Sequence, residues 1–103
     1  MLDKRIKFEP DETFIEDEYG TITFYFTGPK ELLPWEDPDA EFATISIECP
    51  KEYISASYCS VEISPSKYNE ETGTFYDYDW RDIEFPYEEI EELIKLAEEN
   101  GGM

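Results

Sequence analysis

An α+β fold, an antiparallel sheet of four to five strands with one C-terminal helix packed across a face, follows from three features of the chain. Two segments, "TITFYF" (21–26) and "FATISIEC" (42–49), alternate apolar and polar residues with a period of two. Turn-forming residues punctuate the stretches between the apolar runs. Only the stretch after Pro86 changes to the three- and four-residue spacing of a helix. At 103 residues the chain is long enough for one core and too short for two, so residues 1–103 are expected to form a single domain.

Taken in chain order, "KRIKFEP" (4–10) predicts a short first strand, and "DETFIEDEYG" (11–20) turns or pairs back toward the next. In 21–26, Ile22, Phe24 and Phe26 share one face and Thr21, Thr23 and Tyr25 the other, and Gly28-Pro29 marks the turn. "KELLPWEDPD" (30–39) reads as a connection with one helical turn before Pro34. In 42–49, Ala43, Ile45, Ile47 and Cys49 face one side, and Pro50 ends the strand. "ISASYCSVEIS" (54–64) predicts a strand with Cys59, Val61 and Ile63 on one face together with Ser55 and Ser57. "NEETG" (69–73) turns the chain back into "TFYDYDW" (74–80), the last expected strand. The helix begins near Pro86, whose fixed φ suits a first turn, and ends at Asn100-Gly101. Ile90, Leu93, Ile94 and Ala97 form its apolar stripe, and glutamates cover the rest.

Composition excludes several classes of function. There is no histidine, so triads with an imidazole base and histidine metal sites are absent. No GxGxxG or GxxxxGK[ST] segment exists for nucleotide phosphates. Cys49 and Cys59 lack the close CxxC spacing of structural zinc sites. No apolar run reaches the roughly 18 residues of a membrane span, and "MLDKRIKFEP" lacks the apolar centre of a secretory signal. The expectation is a soluble, cytoplasmic protein with both cysteines buried, reduced and without function.

Carboxylates are the abundant reactive groups. Asp77 with Asp79, or Glu84 with Glu88, has the composition of a glycosidase pair or a magnesium site. With 27 acids among 103 residues, however, close pairs arise by chance along the whole chain. "EDPDAE" (36–41) offers oxygen ligands without the spacing of an EF-hand loop, and a solvated acidic loop explains it better. No enzyme activity, cofactor or metal is therefore expected.

The formal charge of −19, from 27 acids and 8 bases, argues against direct binding to nucleic acid or to an anionic membrane. The same field attracts basic protein surfaces, and many of those are built to hold nucleic acid. In a strand, residues two apart face one side about 7 Å from each other. Asp77 and Asp79 would then form a regular row of negative charge, as phosphates do, with Tyr76, Tyr78 and Trp80 on the other face. From Asp77 to Glu92 eight acids accompany one base, Arg81. The expected partner-binding surface is Asp77, Asp79, Asp82, Glu84, Glu88, Glu91 and Glu92, with Trp35 as an aromatic anchor. Tyr19, Tyr68 and Tyr87 are further anchors if exposed.

A small, very acidic, aromatic-rich chain without catalytic equipment resembles the nucleic-acid-mimic proteins, among them anti-restriction and anti-CRISPR inhibitors of phages and mobile elements. The resemblance is one of composition and design, and no residue role is carried over from it. It implies an inhibitor that occupies the basic groove of a nucleic-acid-binding protein. The alternative is an accessory protein-interaction module whose acidity serves only solubility.

Overall fold

The structure, a computed structural model, describes residues 2–101. Its frame is three long antiparallel strands, β3 (Thr21–Pro29), β4 (Phe42–Pro50) and β5 (Ser60–Asn69). The short strands β1 (Lys7–Phe8) and β2 (Phe14–Glu16) both pair with β3. On the opposite side, β6 (Thr74–Asp77) and β7 (Arg81–Asp82) both pair with β5. One helix, α1 (Tyr87–Glu99), completes the α+β fold. The main strand order is thus β1-β3-β4-β5-β6.

Register places the core on one face of the sheet. Phe24 lies opposite Ile47 and Phe26 opposite Ile45, and Ile45 in turn lies opposite Ile63. All of these side chains are fully buried. Buried α1 residues Ile90, Leu93, Ile94 and Ala97 belong to the same apolar cluster, so the helix covers this face. Pro86 stands just before the helix, and its carbonyl accepts from the Glu89 and Ile90 amides. At the far end of β3, Gly28 is closely packed, and a side chain there would displace Leu32. A Cβ there would lie 2.5 Å from Leu32 Cδ1 and 3.2 Å from Ile6 Cγ1.

Three expectations about elements are corrected. The segment 54–59 is not strand, because Ala56–Tyr58 form a 3-10 turn in which the Tyr58 amide donates to the Ser55 carbonyl. Ala56 is buried, so the turn tucks the β4–β5 connection against the core where a continued strand would leave it. The strand "TFYDYDW" is likewise broken, as β6 stops at Asp77 and pairing resumes only at Arg81. Finally, the first strand is reduced to Lys7–Phe8, and residues 3–6 close a turn with the Ile6 amide on the Asp3 carbonyl.

The cysteines are the fourth correction, since Cys49 and Cys59 form a disulfide and no described cysteine is free. Glu48 lies opposite Ser60, so continuing the register by one residue brings Cys49 beside Cys59. Their Cα atoms are 4.5 Å apart, the close spacing of a non-hydrogen-bonded antiparallel pair. Cys49 is fully buried, whereas Cys59 is only partly covered.

Two outcomes test this frame. Leu93→Ala should lower stability by about 3 kcal/mol in urea unfolding, the loss of a fully buried leucine. Reducing the disulfide should cost about 3 kcal/mol for a loop of this length, and thiol titration of the unfolded, unreduced protein should find no free thiol.

Candidate functional site

Because α1 covers one face of the sheet, the other face decides what the protein can present. Residues opposite one another in the ladder share a face, so the pairings give its rows directly. One row runs Tyr25, Ser46, Glu62, Asp82 across β3, β4, β5 and β7. The next runs Phe14, Thr23, Glu48, Ser60 from β2 to β5. On the other side of Tyr25 lie Lys7, Thr27, Thr44 and Ser64.

This face is grooved. A recess of about 850 Å³ is walled by the β1–β2 segment on one side and by Phe75, Asp77 and Trp80 on the other, with Tyr25, Thr27 and Thr44 on its floor. A second recess of about 430 Å³ is lined by Ser46, Glu48 and Glu62 with Tyr19 and Glu16. Phe14 and Tyr25 belong to both, so the two recesses adjoin.

A bulge brings Trp80 to this face. Ser66 pairs with Asp77 and Ile63 with Arg81, so three steps along β5 match four along its partner. The extra residue reverses the alternation beyond Asp77. Trp80, expected on the face away from Asp77, therefore stands beside it and meets the Tyr25 ring edge-on, with centroids 6.3 Å apart. Arg81 is carried the other way and packs over the Trp35 ring at 4.2 Å while pairing with Asp79 at 2.7 Å. The bulge backbone is tied to β5, with the Tyr78 amide donating to the Pro65 carbonyl and the Asp79 amide to the Ser64 hydroxyl.

The acids expected to form one surface are divided. Asp77 and Asp82 belong to the open face. Asp79 is neutralised locally by Arg81. Glu84 is exposed in the connection after β7, and Glu88, Glu91 and Glu92 project from α1 on the opposite layer. Glu92 also accepts from the Leu2 amide at 2.9 Å. Trp35 is half-buried against the core under Arg81, whereas Tyr19, Tyr68 and Tyr87 are exposed. The regular row of Asp77 and Asp79 does not form, because the strand ends between them.

Asp77 is held by a relay. The Ser66 hydroxyl donates to its carboxylate, and Thr44, 2.7 Å from Ser66, must then donate to Ser66. Burial and then the nearby Asp77 carboxylate push the Tyr25 hydroxyl above its ordinary pKa. Glu62 is raised too, first by burial and then by Asp82 directly opposite, with Glu48 adding to the repulsion. Across the bulge, Tyr78 is pushed up to about 12, first by burial and then by its hydrogen bond to Asp37.

Residues that sequence reasoning passed over include Tyr25, Ser46, Glu48 and Glu62. One signal was present, an aromatic among threonines on the polar face of "TITFYF". The bulge had none, because "TFYDYDW" alternates without interruption. Among the described residues no group of three or more His, Cys, Asp or Glu side chains could hold a metal ion, and no helix is long and apolar enough to cross a membrane. Comparison of the chain with protein-family models, curated proteins and solved structures finds no match.

The raised Glu62 fixes the sign of a stability change. Its folded form holds a proton more tightly than the unfolded chain, so its contribution is full below the ordinary value of 4.5 and is lost as pH rises above it. Glu62→Gln should therefore raise stability at pH 7, by less than about 0.5 kcal/mol because solvent screens this exposed cross-strand contact. In urea unfolding the gain should vanish below the ordinary glutamate value.

Proposed function

We propose that the protein is a non-catalytic acidic binding protein directed at a basic protein surface, of the kind that holds nucleic acid, and that it acts as an inhibitor in the anti-restriction or anti-CRISPR manner. The observation that carries the reading is the Glu62–Asp82 pair. Two carboxylates are set directly opposite each other on an uncovered sheet face, with Glu48 close by. Stability does not select such an arrangement, since like charges facing across strands repel. A basic partner would relieve that repulsion and gain from it. The open face thereby replaces the strand–helix surface as the contact, with Asp77 and Asp82 retained from it.

A second reading is favoured by a specific observation. Acids also cover α1, where Glu88, Glu91, Glu98 and Glu99 are exposed on the layer away from the open face. Acidity spread over both layers suits an accessory interaction module whose charge serves solubility. The proposed partners act in the cytoplasm, whereas a structural disulfide suits an oxidising compartment. Thiol blocking at lysis followed by mass measurement assigns the state of Cys49 and Cys59 in the cell.

Competition separates the two readings. Immobilised protein, incubated with host lysate at low salt, should retain nucleic-acid-binding proteins that added duplex DNA displaces. Replacing Glu48, Glu62, Asp77 and Asp82 by their amides should abolish that retention, and the same change at Glu88, Glu91, Glu98 and Glu99 should leave most of it. Retention that DNA does not displace would overturn the inhibitor reading and favour the accessory module.

A further inference from the structure

We propose that the open-face recess over Ser46 seats an arginine side chain from a basic segment of the partner, packed on the Tyr25 ring and paired with Glu48 and Glu62. This rests on the reading of a basic partner and adds where, and by which side chain, recognition occurs.

The geometry comes from the sheet itself. Ser46 is flanked in its row by Tyr25 on one side and Glu62 on the other, so a small residue lies between a ring and a carboxylate. Neighbouring strands are about 4.8 Å apart, so the strands of Tyr25 and Glu62 lie about 10 Å apart and leave a depression about one side chain wide. Glu48, two residues along β4, projects to the same face. Ser46 is only 7% exposed, lines the recess, and its hydroxyl has no hydrogen-bonding partner among the described residues. The recess gives access to this hydroxyl, which can accept or donate a hydrogen bond at its base.

Charge and shape then choose the occupant. Among the described residues no base is ion-paired with Glu48 or Glu62. Burial, Asp82 opposite and Glu48 all push the Glu62 pKa up, in the direction a cationic partner would reverse. A guanidinium can lie flat on a ring and still donate from its edge to carboxylates and a hydroxyl, which a lysine ammonium cannot reproduce. The protein already makes this contact internally, where Arg81 packs on Trp35 and pairs with Asp79. Trp80, turned toward Tyr25 by the bulge, extends the aromatic wall.

The test uses calorimetric titration of the full chain with N-acetyl hexaarginine amide and its hexalysine counterpart at low salt. Glu48→Gln with Glu62→Gln should weaken hexaarginine binding about tenfold, the loss expected for charge-assisted hydrogen bonds. Glu88→Gln with Glu91→Gln removes the same charge from α1 and should change it less than about twofold. Tyr25→Leu and, as a second variant should that one misfold, Trp80→Leu leave net charge unchanged. Each should weaken hexaarginine about threefold and hexalysine less. Equal losses from the two glutamate pairs, or equal effects of the aromatic variants on both peptides, would overturn the arginine seat while leaving a basic partner standing. Failure of the unaltered protein to bind either peptide would remove both.

Discussion

One helix can cover only one face of a sheet, and the arrangement of this protein depends on which face that is. The apolar residues of β3, β4 and β5 alternate in phase, so Phe24, Phe26, Ile45, Ile47 and Ile63 meet on a single side. Burying them under Ile90, Leu93, Ile94 and Ala97 of α1 is the dominant favourable term available to so small a chain. A slip of one residue in any pairing would turn that strand's apolar set outward, so the register is strongly specified. The same phase delivers every intervening residue, Thr23, Tyr25, Ser46, Glu48 and Glu62 among them, to the uncovered face.

The edges of the sheet convert that face from a flat surface into a groove. Both outer positions are filled by pairs of short strands, β1 and β2 against β3 and β6 and β7 against β5. Short, interrupted edges give another chain little backbone to pair with, a common protection against edge-to-edge association. The interruption between β6 and β7 has a second effect, because its extra residue turns Trp80 inward over Tyr25 and sends Arg81 outward to Trp35. One bulge thus raises an aromatic wall on the open face and anchors the 30–41 connection on the other.

How much of this was legible depended on whether a feature is local. The strands 21–26 and 42–49, the helix and its apolar stripe are carried by periodicity within a few residues, and the structure has all of them. The 3-10 turn at Ala56–Tyr58 was hidden because "ISASYCS" contains no glycine or proline to interrupt the pattern, and burial of Ala56 decides its shape. The disulfide was hidden by pairing, since a ten-residue separation permits a bridge only if Cys49 and Cys59 meet in register. The expected row of Asp77 and Asp79 is absent for the same reason as the strand that would carry it. Asp77 and Asp79 are two apart in sequence, yet a break between them gives one to the groove and the other to Arg81.

Placement, more than quantity, distinguishes the acids of this chain. Glu88, Glu91, Glu98 and Glu99 on α1 are exposed, and solvent and counterions screen them from one another. Glu62 is exposed too but differs in placement, since the ladder that Ile63 and Val61 fix on the buried face holds it directly opposite Asp82 and near Glu48. The core therefore supplies the stability that the open face gives up. Such local conflict between sequence and fold is expected where a surface is kept for recognition. On the proposed reading, a basic partner would relieve this conflict without rearranging the strands that carry it.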